Sequence, residues 1–278
     1  MFNVACKTII LAAIAMTAIG CSNTESKEQT DAQSLLQQAS ERLTAGDPHQ
    51  ALQLLDSLDA TYKSDTQTMR ASFKLRPMII QAVTVLDIAA NDSVIADASH
   101  RLDSLKANIR KVSLPQIEGY EIASAAYDNQ FADKTGISCR VSPEGQFYLV
   151  SSVNPSNGLN HVSVSALADG VSATTEAVEY DGALNYHYGN SELITFSNAQ
   201  CDTVGNFIYE HRQSPITIKF NGKTGRSSSI KLSKKQVDAI ALTYEYALLI
   251  NKMRTAEIEK MRLNDRLELA KKKASANE

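Results

Sequence analysis

The sequence is poor in net charge, in long apolar runs, in cysteine and in catalytic motifs, and each shortage excludes something. Its 28 Lys and Arg stand against 31 Asp and Glu, a formal net charge of −3 over 278 residues. A chain so close to neutrality has no field for gripping a phosphate backbone, so nucleic acid is not among the expected partners. Beyond the first twenty-one residues no stretch approaches 18 consecutive apolar residues, the mark of a membrane-spanning helix. There is no Gly-x-Ser-x-Gly elbow, no His-Glu-x-x-His and no Cys-x-x-Cys pair. The corresponding nucleophilic and zinc chemistries therefore have no motif, and no cofactor or metal is implied.

What is present begins at the N-terminus. Lys7 supplies a positive first region, and Ile9 to Ile19 form an apolar run of about eleven residues interrupted only by Thr17. That is too short for a ~30 Å hydrocarbon core, which takes roughly 20 residues, and it has the length of a signal-peptide core. The run ends in Ala18-Ile19-Gly20-Cys21. This segment resembles the lipobox of bacterial lipoproteins, with Gly20 before the cut and Cys21 as the residue that takes the lipid. The resemblance implies that residues 1–20 are a signal peptide and that the mature chain is anchored to a membrane rather than spanning it. It places the protein in the cell envelope. The periplasmic face of the outer membrane is the default. Some Bacteroidota lipoproteins reach the cell surface through acidic residues just after the lipidated Cys, of which Glu25, Lys27 and Glu28 are a faint version. Residues 21–31 are polar and read as a flexible tether.

Processing leaves Cys139 and Cys201 as the only free thiols, in a compartment that permits disulfides. Two readings are open. They form a bridge, or they are buried small hydrophobes, and Cys139 does alternate with Ile137 and Val141 as a core strand residue would.

Residues 32–113 read as helices. Leu35, Leu36, Ala39 and Leu43 recur at helical spacing, as do Ala51, Leu54, Leu55 and Leu58, and Gly46-Asp47-Pro48 between them supplies a helix stop, an N-cap and a first-turn proline. This hairpin resembles one tetratricopeptide repeat, with Ala39 at the small packing position, Gly46 and Asp47 at the turn and Ala51, Leu55 and Leu58 on the second helix. The pattern does not recur one period on, where Ile80 replaces the turn glycine. A repeat array needs about three units to bury a core, so the hairpin is expected to be a scaffold element. Two further helices are expected, Met69 to Asn91 with a break near Pro77, and Asp92 to Arg110.

Residues 114–232 change to short alternating runs between turn signals, which predicts an antiparallel β-sandwich or small barrel. The runs are Ile137-Cys139-Val141, Phe147-Leu149-Ser151, Val162-Val164, Val171 to Val178, Leu193 to Phe196 and Ile216-Ile218-Phe220. A hairpin turning at Asn221-Gly222 is the clearest of these signals, while Asp202 to Arg212 fits helix or strand. Residues 233–273 predict one long helix, capped by Ser233, whose stripe through Val237, Ile240, Tyr244 and Leu248 should pack on the N-terminal helices. Past Lys252 it reads as a solvated helix or loose coiled coil open to a partner, and 274–278 form a tail.

Near-misses sharpen the negatives. Gly222-Lys223-Thr224 resembles the end of a phosphate-binding loop, but Thr217 stands where that loop needs Gly. Lys223-Thr224-Gly225 and Ser228-Ser229-Ile230-Lys231 resemble elements of penicillin-recognising enzymes in the wrong order and spacing. His161, His187 and His211 could meet Asp181 or Glu192 at a metal, although scattered surface histidines are the commoner arrangement. Tyr180, Tyr186, His187 and Tyr188 form an aromatic cluster with polar tips. Tyr186, His187 and Tyr188 suit contact with a glycan, a peptide or a protein, while alternating Tyr and His is also ordinary sheet chemistry.

The expected architecture is α+β, a helical bundle of residues 32–113 and 233–273 with an inserted antiparallel β domain. The expected function is a non-catalytic, membrane-anchored envelope lipoprotein that acts as scaffold or adaptor for a protein partner. The alternative is a glycan- or peptide-binding lipoprotein that uses the β domain.

Overall fold

A computed structural model describes residues 25–114, 117–123, 133–180 and 182–276. The signal segment and Cys21 lie outside the described residues. The fold is α+β, with helices and two antiparallel sheets. The chain divides into two compact units. A helical unit takes in the chain up to Val85 and from Arg266 onward, and an α/β unit takes in Leu86–Asp265.

In the helical unit α1 (Glu25–Thr44) and α2 (Pro48–Thr61) form the expected hairpin. Gly46 takes φ +82°, the left-handed turn that ends a helix at little cost only for glycine. The Asp47 carboxylate accepts from the Gln50 N–H at 3.2 Å, and Pro48 opens α2. Helix α1 starts at Glu25 and so runs through part of the stretch that reads as tether, helped by Glu, Lys and Gln, which favour helix. Ala39, Ala51 and Leu55 pack with Ile79 and Val83 of α3 (Thr66–Leu105). Arg76 of α3 bridges Asp56 and Asp59 of α2 at 2.7 and 2.6 Å.

Helix α3 corrects the expectation of two helices, since it runs unbroken for 40 residues with Pro77 inside it. Neither Asn91 nor Asp92 is a breaker, and a partner holds the helix along its length: α5 (Lys234–Ser275). In the α/β unit Ile88, Asn91, Ile95, Ala98, Leu102 and Leu105 are among the buried or half-buried positions of α3, with Asp87 and Val94 beside them. On α5 Tyr246, Leu249, Met253, Ala256, Lys260 and Leu263 are among such positions, beside further buried ones such as Val237, Ile240, Tyr244 and Ile250 that join the sandwich core. Both sets of six follow the alternating three-and-four spacing of a coiled-coil seam. The Asp92–Lys260 and Arg101–Glu245 ion pairs set an antiparallel register. Of the two readings of the far half of α5, coiled coil is the one found. Ser233 and Gln236 cap α5 reciprocally, Ser233 N–H donating to Gln236 Oε1 at 2.9 Å and Gln236 N–H to Ser233 Oγ at 3.3 Å.

The strands of the α/β unit are β1 (Ile109–Leu114), β2 (Ile117–Ala123), β3 (Gly136–Val141), β4 (Phe147–Val153), β5 (His161–Ala168), β6 (Val171–Thr174), β7 (Asn185–Tyr188), β8 (Ser191–Ser197), β9 (Thr217–Gly222) and β10 (Ser227–Lys231). They form a six-stranded sheet, β1-β2-β3-β4-β8-β7, and a four-stranded sheet, β10-β9-β5-β6. Leu149, Ile194 and Phe196 of the first sheet and Val164, Ala166, Ile218 and Phe220 of the second are fully buried in one shared core. The arrangement is a sandwich rather than a closed barrel.

Three local expectations are corrected and one open reading is resolved. Ile109 opens β1 instead of closing a helix. The ambiguous stretch is helix α4 (Ala199–Glu210), whose Cys201, Val204, Phe207 and Ile208 face the core at helical spacing. Asn221-Gly222 belongs to β9, because the Asn221 amide is held by Ser163 and Ser165 at 3.2 and 2.9 Å. The turn lies beyond it, at Gly225 with φ +81°. Tyr244 packs edge-on against Phe147 at 5.0 Å between centroids and beside Tyr209, so the face of α5 that carries it lies on the sandwich and α4 rather than on the N-terminal helices. Leu248 is 44% exposed.

Candidate functional site

The most developed polar constellation draws one residue from each of three strands. Ser151 on β4 and Glu192 on β8 belong to one sheet, and His161 opens β5 in the other. Ser151 Oγ lies 2.9 Å from His161 Nε2, and His161 Nδ1 lies 2.9 Å from Glu192 Oε2. The carboxylate also accepts the backbone N–H groups of His161 at 2.8 Å and Asn160 at 2.9 Å. Asn160 sits at φ +54°, and its amide and the next one make a small nest for the anion. Asn185 Nδ2 donates to the His161 carbonyl at 3.1 Å.

Burial holds the His161 imidazole below its ordinary pKa, against the pull of its hydrogen bond to Glu192. For Glu192 burial alone would raise the carboxyl. The hydrogen bonds from the His161 ring and from the backbone of His161 and Asn160 outweigh it and hold the group below the usual range. The pair is therefore a neutral imidazole beside a carboxylate. Nδ1–H donates to Glu192, which leaves Nε2 to accept the Ser151 hydroxyl.

That is the hydrogen-bond order of a Ser-His-acid relay, but its setting does not permit turnover. Ser151, His161 and Glu192 are all buried. Ser151 is mid-strand, paired with Ile137 on one side and Ile194 on the other, whereas a nucleophile of this kind sits on an exposed turn. What the arrangement does is join the two sheets through a buried polar network, in which Asn185 Oδ1 is left without a partner among the described residues.

The other residues singled out in the sequence do not join it. His187 stands edge-on to Tyr180 at 5.0 Å. His211 stacks on Phe207 and lies 3.1 Å from the Asp169 carboxylate. Asp181 lies outside the described residues, and among those described no three metal-ligating side chains gather. Tyr186 is 63% exposed on β7, the outer strand of the six-stranded sheet. Strand alternation sends Tyr186 and His187 to opposite faces. Tyr188 ends the strand, and its side chain lies outside the described residues. Cys139 and Cys201 are buried free thiols, both pushed up to about 12 by burial.

Among the described residues one helical stretch, Thr66–Asn108, is long and apolar enough to cross a membrane by length and composition, yet only 17% of its apolar window is buried. Met78 and Val85 in the helical unit and Leu86 in the other are exposed on it. Its ion pairs to α5 mark it as a coiled-coil helix that also carries an uncovered apolar surface.

No protein-family model, curated protein or solved structure matches this chain. Function is therefore argued from the residues themselves.

Ser151, Asn160 and Asn185 are the three members of the network that sequence reasoning missed. No local spacing marks them, because each meets its partner far along the chain, Ser151 and Asn185 across the two sheets.

Proposed function

We propose that the protein is a non-catalytic lipoprotein of the cell envelope, held to the membrane by a lipid on Cys21 and serving as scaffold or adaptor for a protein partner. The observation that carries this reading is where the chemistry lies. The relay-like Ser151–His161–Glu192 network is sealed in the sandwich, while Tyr186 and the open side of β7 face outward. An outer strand offers a row of backbone donors and acceptors to an incoming chain, and an exposed tyrosine adds apolar area with a polar tip. The exposed apolar residues of α3 are a second surface that a partner would cover.

A photo-cross-linking residue at position 186, installed in the native host, tests the reading, with position 261 as an equally exposed control on α5. The expected result is one adduct of defined mass from 186 and none from 261, together with loss of membrane fractionation on Cys21→Ala. Indiscriminate adducts from both positions, or a Cys21→Ala protein that stays with the membrane, would overturn it. The alternative, a glycan or peptide ligand on the β unit, is favoured by the Tyr180–His187 ring contact next to Tyr186. It requires saturable binding that Tyr186→Ala weakens.

A further inference from the structure

The helical unit contains a groove that plays no part in the reading above. It lies between α3 and α5 and has a volume of about 440 Å3, within the range of small-molecule sites. Phe73, Pro77 and Ile80 of α3 and Leu269 of α5 give it an apolar lining. The seam beside it is thin, because α5 offers Ala270 and Ala274 where a tighter coiled coil would place larger side chains. Phe73 and Leu269 are 57% and 54% exposed at its lips, so apolar surface faces water there at some cost.

Its charged lining is all of one sign. Arg76, Arg266 and Lys273 line the groove, and no acid does. Arg76 commits its two terminal nitrogens to Asp56 and Asp59, which leaves its buried Nε–H without an acceptor. A buried donor left unmade is costly and calls for an acceptor. Arg266 and Lys273 have no ion-pair or hydrogen-bond partner among the described residues, although the nearby Lys271 pairs with Glu268. An apolar trough edged by two cations without a partner among the described residues, Arg266 and Lys273, beside an Arg76 already balanced by Asp56 and Asp59, is complementary to an alkyl chain that ends in an anion.

We propose that this groove binds a single-chain anionic amphiphile, a long-chain carboxylate or alkyl phosphate, taken up as a free monomer. The concave shape between two helices favours the monomer over a bilayer surface, whose alkyl chains are already buried. The inference rests on the helical unit alone and stands whether or not Cys21 is acylated.

The test uses the full chain carrying Cys21→Ser, which removes the proposed acyl group as a competitor. Titration calorimetry and thermal shift are read with sodium laurate, dodecyl phosphate, dodecanol, and phosphatidylglycerol vesicles. Laurate and dodecyl phosphate should bind one to one and raise the melting temperature. Dodecanol should bind about ten-fold more weakly or worse, the loss expected for one charge-assisted contact. The double variant Arg266→Glu, Lys273→Glu should lose a similar factor for laurate, and Leu269→Glu should abolish binding. All three side chains are exposed, so unchanged helical circular dichroism separates loss of the site from loss of fold. Equal affinity for dodecanol and laurate, full affinity in the double variant, binding to vesicles alone, or self-association that Leu269→Glu abolishes would each overturn the proposal. The last would assign the groove to a second copy of the chain.

Discussion

His161 Nδ1 lies 2.9 Å from Glu192 Oε2, and this contact joins the four-stranded sheet to the six-stranded one through a buried carboxylate. Among the described residues no Lys or Arg pairs with Glu192. Three N–H donors do, one from the ring and two from successive amides, a geometry that lets a carboxylate stay ionised away from water. The residues that resemble a catalytic relay are the ones that fix how the two sheets meet.

The α/β unit should therefore be acid-sensitive in two steps. His161 titrates lower in the folded chain than in the unfolded one. Below the unfolded value of about 6.5 the unfolded chain takes up the proton first, so stability falls as pH drops from there. Glu192 is also depressed; its contribution is complete above the unfolded value of about 4.3 and is lost as pH falls through the folded one. Chemical denaturation at pH 7.5, 6 and 5 checks this. Stability should decline over that series, and His161→Gln should flatten it. An unchanged slope in the variant would show that other groups set the pH dependence.

Ser151→Ala should destabilise the unit by roughly 1–3 kcal/mol, the cost of leaving a buried acceptor without its donor. The acceptor is His161 Nε2, which Ser151 Oγ now reaches at 2.9 Å. Denaturant titration measures the loss. A cost near zero would mean that the imidazole is satisfied by something other than the serine.

Gly205 of α4 leaves room for Tyr244. A Cβ added there would lie 2.6 Å from Tyr244 Cδ2 and 2.9 Å from the Phe147 ring. Gly205→Ala would otherwise gain helix propensity, by about 1 kcal/mol. The crowding should outweigh that gain, since overpacking costs typically about 1–3 kcal/mol. A net destabilisation that Tyr244→Leu relieves is the expected outcome. Stabilisation by Gly205→Ala alone would mean that the rings yield freely.

Much of this fold was legible because local chemistry and tertiary structure agree. Gly46-Asp47-Pro48 makes the turn its residue types call for, Ser233 and Gln236 cap α5, and Ile137-Cys139-Val141 alternates into the core. What was not legible depends on partners distant in sequence. Asn91-Asp92 reads as a boundary until α5 is known to continue the seam past it. Asn221-Gly222 reads as a turn until Ser163 and Ser165 are seen to hold it in a strand. Ser151, His161 and Glu192 lie on three strands, and no spacing rule brings them together. The groove of the helical unit depends likewise on where Arg266 and Leu269 fall against Phe73 and Pro77.

Cys139 and Cys201 offer a test of the buried-thiol reading against the disulfide. With pKa values pushed up to about 12 by burial, only about one thiol in ten thousand is ionised at pH 8, and the thiolate is the reactive form. Iodoacetamide should leave both unmodified in the folded protein and label both promptly in denaturant without reductant, as read by peptide mass. Labelling that appears only after reduction would show a bridge between them.

The pairing of α3 with α5 is the feature most open to a direct comparison, because one stretch of α5 carries both a seam residue and a solvent-facing one. Leu263 is 5% exposed and Met261 is 70% exposed. Leu263→Ala removes buried methyl groups and should cost roughly 2–5 kcal/mol. Met261→Ala touches no such contact and should stay within about 0.5 kcal/mol of the parent. Thermal unfolding followed by helical circular dichroism separates them. If the two variants behave alike, the far half of α5 is a solvated extension and Leu263 is not in a seam. If only Leu263→Ala melts early, the seam stabilises the helix, and the exposed face that includes Met261 and Ile258 remains free for other contacts.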